Sequence, residues 1–219
     1  MTQADTITRI LDSAEQLFAE KGFAETSLRM ITTRAKVNLA AVNYHFGSKK
    51  DLIQAVFARF LTPFTDKLNK ELNVVIEHNP APSFNDVLSV LAKTMLTGID
   101  RNESYNKLSV FMRLLGLAYT QAQGHLRKFL LDNYAQSYSR FVGYLKLAHP
   151  SLSSREIFWR IHFAIGASVF TMSSIEVLRS MEENDTGVKS SIADIMNELI
   201  PFLAAALEQE QIPSSDGVI

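Results

Sequence analysis

The chain contains no cysteine, which excludes disulfide bonds, thiol catalysis and the common cysteine-rich zinc sites. It also has almost no net charge, since 22 Lys and Arg stand against 23 Asp and Glu, so overall charge does not indicate a nucleic-acid partner. No stretch approaches the roughly 18 uninterrupted apolar residues of a membrane-spanning helix, and the first residues lack a basic segment followed by an apolar run. We therefore expect a cytoplasmic protein without a membrane partner.

Sequence motifs of enzymes and metal sites are missing as well. There is no HExxH, no phosphate-binding P-loop and no GxSxG. The five histidines are scattered along the chain, at His45, His78, His125, His149 and His162. We therefore expect no catalytic activity, no metal ion and no cofactor.

The chain does contain apolar periodicity of the helical kind. With 219 residues, 47% of them hydrophobic, it can bury a substantial core in one or two domains. Ile7, Leu11 and Ala14 begin an apolar stripe at helical spacing, and similar stripes recur to the end of the chain without a strand pattern. The sequence predicts an all-α fold of nine helices. The last two run from Ile157 to about Met181 and from Val188 to Glu208.

Charge is distributed unevenly along the chain. Residues 27 to 60 carry six Lys or Arg and one acid, whereas residues 61 to 219 carry 14 bases and 17 acids. A local basic patch either binds phosphate groups or is simply the solvated face of a helix, and charge alone does not separate these readings.

The pattern of residues 26 to 53 favours the interpretation that this basic patch binds phosphate groups. Thr26 or Ser27 can cap a short helix, and Asn38 can cap a second one after a turn of three residues. Ser48 and Asp51 form a capping box at the start of a third, long helix. Two short helices joined by a tight turn predict a helix-turn-helix, and small outward side chains on the second would let its backbone approach a DNA groove closely.

These residues resemble the signature of the TetR family of transcriptional regulators. The resemblance covers about residues 5 to 60 and rests on Thr26-Ser27-Leu28-Arg29, Ala35-Lys36-Val37-Asn38 and Tyr44-His45-Phe46-Gly47-Ser48-Lys49-Lys50-Asp51-Leu52. It implies a helix-turn-helix DNA-binding domain over residues 1–47 and a connecting helix over residues 48–76. It further implies that residues 48–211 form a helical domain for effector binding and dimerisation, before a tail over residues 212–219.

The resemblance also implies which side chains contact double-stranded operator DNA. The second helix of the motif corresponds to the family's recognition helix, and Asn43 is the candidate base reader because an Asn amide can pair with adenine. Tyr44 and His45 either contact the DNA or pack beside Phe46. The expected DNA-binding residues are Thr26, Ser27, Arg29, Asn38, Ala40, Ala41, Asn43, Tyr44, His45 and Lys49, with Thr26, Ser27, Arg29 and Lys49 on phosphates.

Further segments resemble the PsrA-type fatty-acid-responsive branch of the family. They include Phe111-Met112-Arg113-Leu114-Leu115-Gly116-Leu117-Ala118, Gly124-His125-Leu126-Arg127 and Phe158-Trp159-Arg160. This resemblance implies a repressor of fatty-acid degradation genes that long-chain fatty acid or acyl-CoA releases from DNA. Two alternatives remain: a TetR-type repressor of an efflux or other metabolic operon, and a helical acyl-binding protein or enzyme.

Arg113 is the candidate head-group contact for such an effector. A guanidinium on an otherwise apolar helix is costly unless an anion or hydrogen-bond acceptors compensate it. It therefore either binds the anionic head of an amphiphile or makes an internal ion pair or surface contact. The expected ligand-binding residues are Phe111, Met112, Arg113, Leu115, Tyr119, Phe141 and Phe170.

The last two predicted helices carry more apolar surface than one small domain hides, and the resemblance implies that they pair in a homodimer. A two-fold dimer requires a near-palindromic operator. The expected dimer residues are Phe158, Trp159, Ile161, His162, Ile165, Gly166, Val169, Phe170, Ile195, Leu199, Phe202, Leu203 and Ala206.

Overall fold

The computed structural model describes residues 3–97, 104–121 and 123–209. Within these ranges the chain forms ten helices and no strand, which confirms the all-α prediction. The helices are α1 (Gln3–Glu25), α2 (Leu28–Ala35), α3 (Leu39–Phe46), α4 (Lys49–His78), α5 (Phe84–Thr97), α6 (Ser104–Thr120), α7 (Gly124–Ala148), α8 (Ser154–Ser173), α9 (Ile175–Thr186) and α10 (Ile192–Glu208). The predicted tail, residues 212–219, lies outside the described residues.

The predicted count of nine helices is wrong by one. The segment expected as one helix from Ile157 to Met181 is two, α8 and α9, which meet at Ser174 with a bend of 74°. Ser174 departs from helical geometry, with φ −109° and ψ 12°. At the break, Arg113 of α6 donates to the Ser173 carbonyl at 3.2 Å. This donor from a distant helix satisfies a carbonyl that the end of α8 leaves without a helical partner.

The predicted helix caps are confirmed around the helix-turn-helix. Ser27 accepts a hydrogen bond from the Met30 amide, Asn38 from the Ala41 amide and Ser48 from the Asp51 amide. Lys36 ends α2 in the left-handed conformation, with φ 52°. Arg9 of α1, which sequence reasoning missed, donates to the carbonyls of Ala35 and Lys36 at this turn. Arg9 thereby supplies donors and positive charge at the C-terminal end of α2.

The first hydrophobic core does not stop at the helix-turn-helix. Its buried members from α1 to α4 include Phe18, Phe23 and Phe57, and α6 and α7 complete it. The contributions of α6 and α7 are Phe111, Leu114 and Leu126. Residues on both sides of the predicted domain boundary, between residues 47 and 48, therefore share one core. The boundary itself stays a prediction.

Two further cores lie among the later helices. The second includes Leu68, Leu72, Phe84 and Leu145, which join α4, α5 and α7. The third joins α5, α6, α8, α9 and α10 through Ala92, Leu108, Met112, Met172, Ile175, Ile192 and Met196. No single helix in the described parts of the chain is long and apolar enough to cross a membrane; α8 and α9 meet that criterion only together, across their bend.

Helix α4 connects the first two cores. Its first half contributes Phe57 to the first core and its second half contributes Leu68 to the second. Pro63 lies between them, and it cannot donate the helical hydrogen bond that the Arg59 carbonyl would accept. Arg59 itself forms ion pairs with Asp12 at 2.6 Å and Glu15 at 3.1 Å on α1. These contacts hold the first half of α4 against α1.

The Arg9 contact gives a stability prediction. We expect Arg9→Ala to lower the free energy of unfolding by about 1 to 3 kcal/mol, because two carbonyls at the end of α2 lose a charged donor. Urea unfolding followed by circular dichroism measures this. Arg127 lies exposed on α7, so Arg127→Ala is the matched control and should leave the unfolding midpoint unchanged. Equal midpoints for both variants would show that Arg9 does not stabilise the turn.

Candidate functional site

Helix α3 presents one face to solvent and packs the other against the first core. Val42 is fully buried, whereas Ala40, Asn43 and Tyr44 are exposed. The Tyr44 side chain retains 79% of its accessible surface, so it is not a core residue. The exposed face of α3 therefore combines a small side chain, an amide and a phenol, which suits close approach to base edges and backbone.

Two neighbours on α3 are partly engaged within the protein. Asn38 accepts from the Ala41 amide through Oδ1 at 2.7 Å, which fixes the side chain while its amino group points away from that bond. The His45 ring is half-buried and makes edge contacts with Tyr44 at 5.0 Å and Phe46 at 6.4 Å between ring centres. Contacts of both residues with DNA stay predictions.

The expected phosphate contact of the Thr26 side chain is wrong. Thr26 has no exposed surface, and its hydroxyl donates to the carbonyls of Leu17 at 3.0 Å and Gly22 at 2.8 Å. The hydroxyl therefore ties the start of α2 to the end of α1. Sequence reasoning left the cap to either Thr26 or Ser27, and the structure assigns it to Ser27.

Two basic residues predicted to contact phosphate lie on the helices before and after α3, Arg29 on α2 and Lys49 at the start of α4. Arg29 is exposed, and among the described contacts its guanidinium has no protein partner. The Lys49 ammonium donates to the Ala24 carbonyl at 3.2 Å, and burial lowers the pKa of this group. Arg29 is thus the freer cation for a phosphate contact, while Lys49 also holds α4 against the end of α1.

A small apolar cavity of about 40 Å³ lies between α5, α6, α8 and α10. Among the described residues, Ser168 is the one polar side chain that lines it, and its hydroxyl donates to the Ala164 carbonyl of its own helix at 2.8 Å. Four of the lining residues are methionines, whose unbranched side chains adapt readily to a new shape. The lining residues are Leu88, Leu91, Ala92, Met95, Leu108, Met112, Ser168, Met172, Met196, Leu199, Ile200 and Leu203.

The structure does not bring the predicted ligand-binding residues into this one cavity. Met112 lines it, and Leu115 packs against the same core. Phe111 instead stacks on Phe60 in the first core, with ring centres 3.8 Å apart. Phe141 packs against the second core.

Tyr119 and Phe170, also predicted to contact the ligand, lie largely in solvent, at 58% and 62% exposure. Contact of these residues with a ligand stays a prediction, and they are spread over several surfaces of the described structure because α6 is buried on more than one side. Helical periodicity marks its residues as apolar without saying which neighbour each one faces.

Arg113 does not itself line the cavity, although residues next to it and next to its hydrogen-bond partner do so. It is exposed, and it follows the lining residue Met112 along α6. Its partner, the Ser173 carbonyl, belongs to the residue after the lining residue Met172. Of the alternatives, the structure shows an internal hydrogen bond to a backbone carbonyl, and no ion pair of Arg113 occurs among the described residues.

An exposed apolar stripe runs along α8. Trp159, Phe163, Gly166 and Phe170 follow one another at intervals of four, three and four residues, and all are exposed. Phe202 on α10 is exposed as well. Such a surface is typical of a protein interface rather than of a free monomer.

Several expected dimer residues are placed elsewhere. Ile161 and Leu203 are buried within the chain, and Ile165 and Leu199 pack against the second core. Phe163, which sequence reasoning omitted, is the most exposed apolar side chain of α8, at 68%. Its spacing of four residues from Trp159 was the available signal.

Two family models match the chain. The model described as bacterial regulatory proteins, tetR family, matches residues 10–56, and the model of the tetracyclin repressor-like C-terminal domain matches residues 93–206. The chain belongs to the TetR family of transcriptional regulators. Members of this family bind operator DNA, dimerise and bind small-molecule effectors.

Individual relatives agree with this assignment. The chain is 40% identical over 93 residues to the HTH-type transcriptional repressor Rv3405c of Mycobacterium tuberculosis. The aligned region covers 41% of this chain and 46% of that protein. It is 35% identical over 66 residues to the probable HTH-type transcriptional regulator YttP of Bacillus subtilis, covering 30% and 32%. The matches thus span less than half the length of these relatives.

Solved structures of the same fold extend over nearly the whole chain. FadR of Bacillus halodurans, a fatty acid degradation regulator, aligns with a TM-score of 0.59 at 16% identity over 94% of this chain and 97% of its own. HlyIIR, a hemolysin II transcriptional regulator, aligns with a TM-score of 0.56 at 17% identity over 93% and 99%. At these identities the likeness shows the fold alone.

Asn43 and Arg29 are expected to act differently on this regulator's DNA. Asn43→Ala should relax discrimination at one base pair of each half-site by about 1 to 3 kcal/mol. Arg29→Ala should weaken specific and random DNA alike and reduce the salt slope by about one. Fluorescence anisotropy on a selected operator, its single-base variants and random duplex, at several salt concentrations, measures both effects. If both variants lost affinity for all sequences equally, Asn43 would not be a base reader.

Proposed function

We propose that the protein is a dimeric repressor of fatty-acid degradation genes, which long-chain fatty acid or acyl-CoA releases from a near-palindromic operator. The carrying observation is the apolar, methionine-lined cavity, together with Arg113, which follows the lining residue Met112 and donates to the carbonyl of Ser173, next to the lining residue Met172. The exposed face of α3 supplies the DNA contact, and the exposed stripe of α8 supplies the dimer contact.

The operator follows from the symmetry of the dimer. If α8 and α10 pair with those of a second copy, each copy places one α3 in a major groove. Two-fold symmetry then requires half-sites about 34 to 36 Å apart, one helical turn of DNA. Trp159, Phe163 and Phe170 are the residues on this stripe that a second copy would cover.

The cavity supports a slender apolar ligand. Pockets for drug-sized molecules have volumes of about 300 to 1,000 Å³, far larger than the cavity found. A ligand must therefore part the methionines as it enters, which a thin flexible chain does more easily than a rigid planar ring. Because the lining carries no charge, the cavity suits the hydrocarbon tail and excludes the polar head.

Arg113 supports an anionic head group. It follows Met112 of the cavity wall in sequence, and the described contacts use its guanidinium for a single hydrogen bond, to the Ser173 carbonyl. A guanidinium has five N–H donors, so several remain for a carboxylate or a phosphate. The resemblance to PsrA-type regulators and the shared fold with FadR of Bacillus halodurans point to the same ligand class.

The mechanism is a population shift. Effector binding favours a state in which α4 takes another angle, so that the two α3 helices no longer fit successive major grooves. Helix α4 suits this role because it joins the first core to the second across Pro63. If the effector-bound dimer kept the half-site spacing of the DNA-bound dimer, this mechanism would be wrong.

Fluorescence anisotropy of the protein on its own upstream DNA and on promoters of β-oxidation genes tests the function. Titration with oleate and oleoyl-CoA at fixed salt should release the DNA, and the more effective compound identifies the head group. Tight binding that ignores both compounds would contradict the fatty-acid effector and leave a TetR regulator of another hydrophobic ligand. Absence of sequence-specific binding would overturn the operator assignment.

Two variants locate the effector. Ala92→Leu adds carbon atoms to the cavity wall and should weaken acyl binding by about tenfold or more, with operator affinity retained. Arg113→Gln removes the cation and should weaken binding by a similar factor. Isothermal titration with oleate and oleoyl-CoA measures both, with Ala135→Leu and Arg127→Gln on the exposed surface of α7 as matched controls. Unchanged affinity in both test variants would place the ligand elsewhere.

A further inference from the structure

We propose that Gln121 is the positioning residue that links effector binding to the orientation of the DNA-binding helices, through its hydrogen bond to the Phe23 amide. This inference rests on the proposed function, in which an effector acts from the cavity bordered by α6. It assigns the transmission of the signal to one side chain at the end of that helix.

The contact depends on a break in α1. Gly22 has φ 82° and ψ 169°, so the helix is interrupted there and the Phe23 amide loses its helical acceptor. The side-chain oxygen of Gln121, Oε1, accepts a hydrogen bond from this amide at 3.2 Å in a partly buried position. The positive φ favours glycine at this position. A Cβ on Gly22 would stand 2.8 Å from the side-chain nitrogen of Gln121, so a larger residue there would displace the Gln121 side chain.

Helix α6 carries the contact because its faces meet two different cores. Leu108 and Met112 line the effector cavity, whereas Phe111 and Leu114 are buried in the first core with the DNA-binding helices. A helix of 17 residues moves largely as one body, so widening the cavity displaces its C-terminal end as well. Gln121, immediately after that end, joins it to α1.

The first turn of α7 also touches the start of α4. The side-chain amide of Gln54 donates to a ring nitrogen of His125 at 3.5 Å and to the His125 carbonyl at 3.4 Å. The other ring nitrogen of His125 lies 2.8 Å from the side-chain oxygen of Gln123. Gln121 thus contacts α1, and His125 contacts α4; α1 and α4 are the two long helices that support the recognition helix. A displacement of α6 would reach both of them.

The first experiment measures coupling with oleoyl-CoA as the effector. The coupling factor is the ratio of operator Kd with saturating oleoyl-CoA to operator Kd without it. Gln121→Ala should lower this ratio by about fivefold or more, with the Kd for oleoyl-CoA within about twofold of wild type. Gln121→Glu keeps an acceptor for the Phe23 amide and should retain the coupling.

Asn133→Ala is the matched control, because the Asn133 amide bonds only to the Phe129 carbonyl of its own helix among the described contacts. It should behave as wild type. Gln121→Asn, one methylene shorter, provides a second test variant if Gln121→Ala does not fold. A coupling factor equal to wild type in the folded Gln121 variants would overturn the inference.

A second readout needs no effector. Since the chain has no cysteine, Asn43→Cys gives one spin label on each recognition helix of the dimer. Double electron–electron resonance should show a narrow distribution of distances between the two spin labels of the dimer. Gln121→Ala should broaden this distribution, and Asn133→Ala should not. If wild type ignored oleoyl-CoA, the proposed effector would be wrong, and this distribution would still decide the role of Gln121: an unchanged width would contradict it.

Discussion

The stacking of Phe111 on Phe60 is the contact on which the arrangement of this molecule depends. It joins α6 to α4 at 3.8 Å between ring centres, and Phe60 also packs against the third core, whose residues form much of the apolar cavity wall. The DNA-binding helices therefore have no core of their own that closes without α6. Because packed interiors are close to incompressible, the opening of the cavity in the proposed switch would be passed on to α4 through this stack.

Sequence reasoning succeeded where the determinants are local. The helix-turn-helix was predictable because Ser27, Asn38 and Ser48 each cap the helix that begins next to them, and capping needs only three consecutive residues beyond the cap. It failed at Ser174, where no glycine or proline marks the end of α8. The break there coincides with a hydrogen bond from Arg113, 60 residues earlier in the chain, which no local pattern contains.

The candidate sites show the same limit. Thr26 and Ser27 are equally good caps by residue type, and only the carbonyls of Leu17 and Gly22 decide that Thr26 turns inward. Phe111 and Met112 are consecutive apolar residues on a helix with several buried sides, and they belong to different cores. Periodicity identifies such a helix as buried, but the neighbours of each face are set by long-range packing that the sequence does not display.

In the switch proposed above, the size of the cavity bears on the kind of effector that could operate it. Moving an equilibrium from 1:99 to 99:1 takes a difference in binding free energy of about 5.5 kcal/mol between the two states. Burying one methylene contributes about 0.8 kcal/mol, so about seven methylenes buried in the opened state alone are needed. The cavity of about 40 Å³ in the present structure accommodates almost none of these methylenes. Nearly every methylene of the tail therefore contributes to the difference in binding free energy between the two states. A long acyl chain has enough methylenes to meet this requirement, whereas a short acid does not. A ligand that binds both states with equal affinity leaves the equilibrium between them unchanged.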